Sequence, residues 1–351
     1  MASKFQLVFL FLFLCMMWAS PSAASRGEPS DPMMKTFEAW MAQYGRVYSD
    51  DNEKMRRFQI FKNNVNYIET FNNGSRNSYT LGTNQFTDLT NNEFIAQHTG
   101  ALPLNIKREP VVLFDDVNIS AVPQSIDWRY YGAVTPIKDQ GSCGSCWAFS
   151  AIATVEGIYK IKTGFLLSLS EQKVLDCAVS NGCNGGQVNK AYDFIISNNG
   201  VTSTVFYPYK GNQGTCAANR VPNSAYITGY SYVPRNDERS MMYAASNQPI
   251  AALIDASGNN FRSYQGGVFS GPCGTSLDHV ITIIGYGQDI SGTKYWIVKN
   301  SWGMSWGEGG YIRMARDVSS SAGLCGIAMA PLFPTLRSAA NAEVIKIVSK
   351  T

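Results

Sequence analysis

Two cysteines with C-x-x-C spacing, Cys143 and Cys146, are the first candidates for chemistry in this chain. Such a pair can be half of a zinc site, a thioredoxin-like redox pair, or a disulfide-bonded cysteine beside a free nucleophile. A zinc site needs a second closely spaced pair of ligands, and a redox pair is expected after a strand of a βαβ unit. Neither pattern is found. The sequence therefore favours Cys146 as a free nucleophile, with a thiol oxidoreductase as an alternative.

His279 and Asn300 are the residues that could activate such a thiol. A cysteine attacks as the thiolate, which is favoured at a helix N-terminus and beside an imidazolium. Cys146 begins a predicted helix, and His279 is the only histidine in the cysteine-containing part of a chain that has 2 histidines. An amide that orients the imidazole completes a Cys-His-Asn triad. These residue types predict nucleophilic catalysis.

The N-terminus indicates the compartment. Lys4 precedes an apolar stretch over residues 7–18, which is too short for a membrane span of ~20 residues, and Ser22-Ala23-Ala24 is typical of a cleavage site. We predict a signal peptide over residues 1–24 and passage through an oxidising lumen. One of the 8 cysteines, Cys15, leaves with the signal peptide. The odd number that remains leaves one thiol unpaired.

The composition excludes several classes of protein. The 351 residues are 45% hydrophobic and 16% charged, so there is enough apolar surface for a sizeable core and no case for a disordered chain or a coiled coil. The net charge of +3 does not indicate the strongly basic surface of nucleic-acid binders. We expect no nucleic-acid partner and no membrane partner, because no later stretch reaches the length of a membrane span.

The character of the sequence changes at about Val122. Residues 25–121 lack cysteine, and the stretch between Gly100 and Pro123 predicts a protease-accessible linker. One amphipathic helix is predicted over residues 51–71 from apolar residues at helical spacing: Met55, Phe58, Phe61, Val65 and Ile68.

After Val122 the pattern is mixed α and β. Helices are predicted from Cys146 and over residues 188–196, and Ser168 and Glu171 have the spacing of a capping box. Strands follow, over residues 250–254, 280–286, 295–299 and 311–315. Early helices and late strands predict an α+β fold with two subdomains.

Four segments together resemble the papain-like cysteine proteases: residues 140–150 (QGSCGSCWAFS), 182–186 (GCNGG), 278–279 (DH) and 300–307 (NSWGMSWG). The resemblance extends from Met33 to Leu336, and residues 122–129 and 225–232 narrow it to one group of plant enzymes. It implies a helical domain, a β-barrel-like domain and an active-site cleft between them. It also implies protein and peptide substrates, cystatin-type inhibitors, a monomer, and no metal or organic cofactor.

Residues 25–121 resemble the inhibitory propeptides of that family. The resemblance implies an inactive proenzyme whose cleft is filled by a propeptide that runs in the non-productive direction. We expect acidification to weaken the inhibition as carboxylates such as Glu53 and Asp88 protonate. An inactive storage or binding protein on the same scaffold is the alternative. The two propeptide motifs comprise Glu53, Arg57, Phe61, Asn64, Ile68, Asn72, Gly82, Asn84, Phe86 and Asp88.

The same resemblance assigns roles to residues after Val122. It implies that Cys146 is the nucleophile, that His279 is the general acid–base, and that Asn300 orients the imidazole. Trp302 would shield the hydrogen bond between His279 and Asn300, and the Gln140 side chain and the Cys146 N–H would form an oxyanion hole. The implied disulfides are Cys143–Cys183, Cys177–Cys216 and Cys273–Cys325.

Substrate binding is implied in the same way. Gly185 and Gly186 would let a substrate strand approach the backbone closely. Asp278 at the edge of the site could attract a basic side chain, and Gln187 stands where many relatives carry an aromatic residue. The positions aligned with the S2 subsite are aliphatic and predict an apolar P2 residue: Val188, Leu253, Leu277, Val280 and Ala330.

The remaining predictions concern processing. We expect a peptidase domain over residues 122–336 and a tail over residues 337–351 that is trimmed or carries a sorting signal. Asn73 and Asn118 lie in sequons for N-glycosylation. The predicted location is the secretory pathway, either extracellular or vacuolar/lysosomal.

Overall fold

The computed structural model describes residues 31–74, 77–104, 122–178, 181–217 and 221–337. The predicted signal peptide, the sequon at Asn118 and nearly all of the C-terminal tail lie outside these residues. Among the helices that it does describe, none combines the length and the apolar character needed to cross a membrane.

Two helices, α1 (Pro32–Tyr44) and α2 (Asp51–Asn73), pack against each other at the start of the described chain. Each begins after an aspartate whose side chain accepts a hydrogen bond from a backbone N–H of the first turn. Met55 has the helical spacing of the buried residues but is 47% exposed. The two helices bury one apolar cluster, which contains Phe37, Trp40, Phe58, Phe61 and Val65.

This N-terminal region docks onto the rest of the chain through a strand. Strand β1 (Tyr79–Leu81) pairs antiparallel with β5 (Tyr264–Phe269), and helix α3 (Asn91–His98) follows β1. Phe86 and Phe94 are buried in the same apolar cluster as the strand-rich part of the chain. Strand β1 and the residues through α3 therefore complete the core of the strand-rich part, while α1 and α2 bury a separate apolar cluster.

Helices dominate the first half of the region after residue 122. The predicted capping box between Ser168 and Glu171 is wrong, because helix α5 begins at Glu171 and Ser170 is its N-cap. The Ser170 hydroxyl accepts a 3.0 Å hydrogen bond from the Lys173 N–H, while the Glu171 carboxylate forms an ion pair with Lys138. The elements of this half are α4 (Cys146–Thr163), α5 (Glu171–Cys177), a 3-10 turn (Gly182–Asn184) and α6 (Val188–Ser197).

Strands dominate the second half and form one sheet of nine strands in the order β1-β5-β8-β7-β6-β4-β9-β3, with β2 paired to β6. The β5–β8 pair is parallel and the other pairs are antiparallel. The α+β prediction is confirmed, although the sequence did not predict strands β1, β2, β3, β5 and β9. The elements are β2 (Ile126–Asp127), β3 (Gly229–Tyr232), α7 (Glu238–Asn247), β4 (Ile250–Ile254), α8 (Asn259–Arg262), β5, β6 (His279–Gln288), β7 (Lys294–Lys299), β8 (Tyr311–Ala315), a 3-10 turn (Leu324–Gly326) and β9 (Leu332–Thr335).

A buried group of charges joins the two halves. The Lys138 Nζ lies 2.8 Å from a Glu156 carboxylate oxygen and 2.5 Å from one of Glu171. The Lys299 Nζ donates to the backbone and hydroxyl oxygens of Thr135, and that hydroxyl donates to Glu156. Because β7 ends at Lys299, these bonds hold the end of the strand from which the next site residues follow.

Candidate active site

Cys146 is the first residue of α4 and is fully buried. It is the one free cysteine among the residues that the structure describes. Its thiol faces the backbone N–H groups of Trp147, Val280 and Gly100, each of which favours the thiolate. Val280 belongs to β6, so the thiol lies where the helical half meets the sheet.

The other cysteines of the described residues are paired in three disulfides. Cys143 is bonded to Cys183, and not to Cys146. This arrangement does not fit a redox pair made of Cys143 and Cys146. The described chain holds the bridges that the resemblance implies: Cys143–Cys183, Cys177–Cys216 and Cys273–Cys325.

His279 and Asn300 are brought together by neighbouring strands. His279 is the first residue of β6, Asn300 follows the last residue of β7, and the two strands pair antiparallel. The His279 Nε2 lies 2.8 Å from the Asn300 Oδ1. The indole of Trp302 stacks on the imidazole with ring centroids 4.5 Å apart, and all three side chains are buried. The His279 Nδ1 has no hydrogen-bond partner among the described residues.

The Gln140 side chain lies beside the start of α4. Its Nε2 donates to the Cys143 carbonyl oxygen at 2.8 Å and to the His98 carbonyl oxygen at 3.1 Å. Its Oε1 accepts a 2.6 Å hydrogen bond from the Ser301 hydroxyl. A carbonyl of the N-terminal region therefore accepts from the amide that the sequence assigns to the oxyanion hole.

The chain after α3 crosses the cleft as an extended segment. The N–H groups of Gly100 and Ala101 both donate to the Asp278 carbonyl oxygen at 2.8 Å. The Gly186 N–H donates to Gly100, and the Leu102 N–H donates to the Gly186 carbonyl, each at 2.9 Å. The bridge between Ala101 and Gly186 is parallel. These bonds occupy the Gly186 backbone groups that the sequence assigns to substrate.

Burial sets the protonation of the reactive pair. It raises the pKa of the Cys146 thiol to about 12 and lowers the pKa of the His279 imidazole to about 4. The sequence led us to expect a thiolate favoured by the helix N-terminus. While the N-terminal region covers the site, desolvation outweighs that effect. The covered site holds a neutral thiol and a neutral imidazole.

The five residues assigned to S2 lie together. They belong to one apolar cluster, in which Leu277 is the partly buried member. Ala101 and Leu104 of the N-terminal region pack against this cluster. The residues in question are Val188, Leu253, Leu277, Val280 and Ala330.

Asp278 and Gln187 have partners that the sequence did not reveal. The Asp278 Oδ1 accepts a 2.8 Å hydrogen bond from the Ala256 N–H, and burial raises the pKa of this carboxyl to about 6. The Gln187 Nε2 donates to the Pro103 carbonyl oxygen. In this form both side chains bond to the protein itself.

Sequence reasoning missed His98, Ser301 and Tyr209 as neighbours of the site. His98 lies in the N-terminal region, outside the cysteine-containing part of the chain. Ser301 is within the NSWG segment, yet its bond to Gln140 joins residues far apart in the sequence. No sequence signal marks Tyr209, whose hydroxyl bonds to the Gln140 carbonyl oxygen and to the hydroxyl of Ser145, the residue before Cys146.

Comparison with protein families gives two matches. Residues 122–335 match the papain family cysteine protease domain, and residues 37–94 match the cathepsin propeptide inhibitor domain. The two matches define a cysteine protease that carries its own inhibitory propeptide and is therefore made as a zymogen. Because the first match spans more than half of the chain, the chain belongs to the papain family.

Similar proteins refine this assignment. Fruit bromelain of Ananas comosus is 80% identical over 352 residues, which is 100% of both chains. Ananain of Ananas comosus is 75% identical and covers 98% of this chain and 100% of its own. The solved structure of a recombinant stem bromelain precursor has a TM-score of 0.84 and 69% identity, and it covers 88% of this chain and 100% of its own. The predicted papain-like fold and protease activity are confirmed, and the group of plant enzymes to which residues 122–129 and 225–232 narrow the resemblance is the pineapple bromelain and ananain group.

Proposed function

We propose that this cysteine protease is an endopeptidase that cleaves proteins through an acyl-thioester on Cys146. His279 takes the thiol proton, the sulfur attacks the scissile carbonyl carbon, and His279 then protonates the leaving amine. His279 next takes a proton from water, and the hydroxide releases the carboxylic acid and regenerates the thiol. The observation that carries this proposal is the 2.8 Å contact between His279 and Asn300, one residue before the Val280 N–H that faces the free thiol at the start of α4.

Two donors stabilise the oxyanion in this proposal. They are the Gln140 Nε2 and the Cys146 backbone N–H, and each such donor is worth about 3 kcal/mol in acyl transfer. The bond from Ser301 to the Gln140 Oε1 supports this role, because it turns the Nε2 towards the cleft. In the zymogen the His98 carbonyl accepts from that Nε2.

Maturation exposes the site. Release of residues 98–104 frees the backbone groups of Gly186, the Gln140 amide and the Cys146 thiol, and water then reaches the reactive pair. Desolvation no longer opposes the charged forms, so a thiolate–imidazolium pair becomes accessible. We assign residues 25–121 to the propeptide, 122–336 to the peptidase domain and 337–351 to a tail beyond it.

Specificity follows from the S2 cluster. We expect Leu, Val or Phe to exceed Arg at P2 by roughly ten- to hundredfold, because burying one apolar side chain is worth ~1.5–3 kcal/mol. The hydrogen bond of Asp278 to Ala256 supports an apolar rather than a basic preference. A fluorogenic library randomised at P2 measures this order, and a preference for Arg would contradict it.

The cellular setting belongs to the same proposal. A signal peptide over residues 1–24 directs the protein into the secretory pathway, to an extracellular or vacuolar location. The enzyme acts as a monomer and is inhibited by cystatin-type proteins. Asn73, which is exposed at the end of α2, and Asn118 accept glycans.

The experiment that tests this function is alkylation of the processed enzyme. Iodoacetamide should modify Cys146, because it is the unpaired thiol, and should abolish hydrolysis. Cys146→Ala should give a folded protein without turnover. Cys143→Ala is the matched control, and we expect it to damage folding by removing a disulfide worth ~2–5 kcal/mol. Modification of another cysteine, with hydrolysis retained, would refute the proposal.

A further inference from the structure

The oxyanion hole proposed above is built from two segments. One donor is on Gln140, which precedes the loop 141–145, and the other is the N–H of Cys146, which follows it. The spacing of the two donors depends on how this loop is held. A disulfide and backbone bonds hold the loop to Cys183 and Ser301, and a group that contacts both ends of the loop would also hold the two donors relative to each other.

The hydroxyl of Tyr209 makes that contact. Its oxygen lies 2.8 Å from the Gln140 carbonyl oxygen and 2.7 Å from the Ser145 hydroxyl oxygen. A carbonyl only accepts, so the Tyr209 hydroxyl donates its single proton to Gln140. The Ser145 hydroxyl therefore donates to Tyr209. The Ser145 hydroxyl also lies 3.4 Å from the Cys143 carbonyl oxygen, a longer contact than the 2.7 Å one to Tyr209.

At Ser145, the hydrogen bond to Tyr209 takes the place of the usual N-cap bond of a helix. Ser145 is the N-cap of α4, where a serine hydroxyl usually accepts from an N–H of the first helical turn. Here the side chain makes no such bond. Because the Ser145 hydroxyl is directed to Tyr209, the start of α4 is tied to a residue outside the helix and not by a side-chain bond within its own first turn.

Tyr209 is itself held in place. Its ring packs edge-on against Phe149 of α4, with centroids 4.8 Å apart and an interplanar angle of 84°. Burial raises the pKa of its phenol to about 12. The phenol therefore stays protonated, and remains a donor, throughout the neutral and acidic range.

We propose that Tyr209 is a positioning residue for the oxyanion hole, which it holds by bonding to Gln140 and Ser145 together. This inference rests on the proposed function, because it assumes the roles of Gln140 and Cys146. Tyr207 provides a matched control. It lies two residues earlier in the same Tyr-Pro-Tyr segment, and its hydroxyl donates to Asp176 of α5 at 2.9 Å.

The test compares Tyr209→Phe with Tyr207→Phe in the processed enzyme. For Tyr209→Phe we expect kcat to fall about five- to tenfold with little change in KM, which is the effect of losing one hydrogen bond. The rate of alkylation of Cys146 by iodoacetamide, and its pH profile, should stay unchanged, because alkylation forms no oxyanion. Tyr207→Phe should keep both rates within about twofold. Equal losses of hydrolysis and alkylation in Tyr209→Phe would overturn the inference, since they indicate general disorder of the site.

A double-mutant cycle with Gln140→Ala tests the role of Tyr209 separately from the proposed oxyanion hole. In the Gln140→Ala enzyme, Tyr209→Phe should lower kcat less than twofold, because the side-chain donor that Tyr209 positions is already absent. If Gln140→Ala impairs kcat while Tyr209→Phe leaves it unchanged, only the role of Tyr209 is refuted. If Gln140→Ala itself keeps full kcat, the proposed oxyanion hole is refuted.

Discussion

His98 is the propeptide side chain that responds to pH next to the proposed oxyanion hole. Its Nδ1 lies 3.0 Å from the Gly141 carbonyl oxygen, so Nδ1 carries the proton and Nε2 is the site of further protonation. The ring contacts Phe86 and Phe94, and no carboxylate among the described residues pairs with it. The positive charge of Arg46 opposes protonation of His98, and a charge on His98 would oppose protonation of His279.

His98 should make release of the propeptide pH-dependent. Burial lowers its pKa to about 4 from 6.5, so the docked form binds fewer protons than the released form. Docking is therefore strongest above pH 6.5 and weakens as pH falls towards 4, by on the order of a hundredfold. We expect His98→Gln to remove the part of the acceleration of proenzyme processing over this range that comes from His98, measured as processing rate against pH, while His279, whose pKa burial also lowers to about 4, supplies the remainder. An unchanged profile would contradict the prediction.

Glu53 and Asp88, the carboxylates that the sequence analysis named, affect the pH dependence of propeptide docking in different ways. Hydrogen bonds from Arg56 and Arg57 lower the pKa of Glu53 to about 2, so its contribution is lost only as pH falls below about 4. Burial raises the pKa of Asp88. Protonation of Asp88 therefore favours the docked form, which is the opposite of release. We therefore expect the acid response between pH 6.5 and 4 to come from the two buried imidazoles, His98 and His279, and not from these two carboxylates.

At the scale of elements, helices α1 and α2 hold the propeptide in shape. Their aromatic side chains are closely packed: the Phe61 ring lies 5.2 Å from those of Phe37 and Trp40. Arg57 of α2 bonds to Glu93 of α3 at 3.0 Å, which links the helix pair to the segment that enters the cleft. Loss of the helix pair should therefore loosen that segment.

Phe61→Ala tests this dependence. In the Cys146→Ala proenzyme, which cannot process itself, we expect the change to cost ~3–5 kcal/mol because it removes a fully buried ring. The N-terminal region should then be cleaved much faster by added trypsin. Met55→Ala is the control on the same helix, since Met55 is half exposed, and should leave the rate nearly unchanged. Equal cleavage rates for the two variants would contradict the prediction.

At the scale of the whole molecule, the propeptide backbone is wedged between the two halves. Gly100 contacts Asp278 at the edge of the sheet and Gly144 in the loop before α4. A Cβ atom placed on Gly100 would lie 2.1 Å from the Gly144 carbonyl oxygen. Only glycine at position 100 lets the two backbones come this close. The close contact places Gly100 over the Cys146 thiol.

Gly100→Ala should therefore expose Cys146 in the unprocessed protein. Overpacking costs ~1–3 kcal/mol, which corresponds to roughly ten- to hundredfold faster alkylation by iodoacetamide at neutral pH. Gly258→Ala is the matched control, because a Cβ there has its nearest contact at 3.6 Å. Mass spectrometry of the labelled zymogen gives the rates. Equal alkylation of the wild type and Gly100→Ala would contradict the prediction.

Parts of the site could be predicted because they depend on residue type alone. Cys146 was assigned as the free thiol from its position at a predicted helix start and from the odd number of cysteines. Strands β4, β6, β7 and β8 were predicted from apolar runs. The capping residue of α5 was not, because Ser168 and Ser170 both fit the local pattern, and the two are distinguished by the bond from the Lys173 N–H to Ser170 and by the ion pair of Glu171 with Lys138.

By itself the sequence determined which reactive groups the protein has, the helical spacing of α2, and the change from early helices to late strands after residue 122. Only the tertiary structure decided that His98 covers Gln140, that Tyr209 joins Gln140 to Ser145, and that the thiol and imidazole are neutral beneath the propeptide. The physical reason is that desolvation and hydrogen bonding depend on which distant parts of the chain share the same space. No local pattern of residues records those contacts.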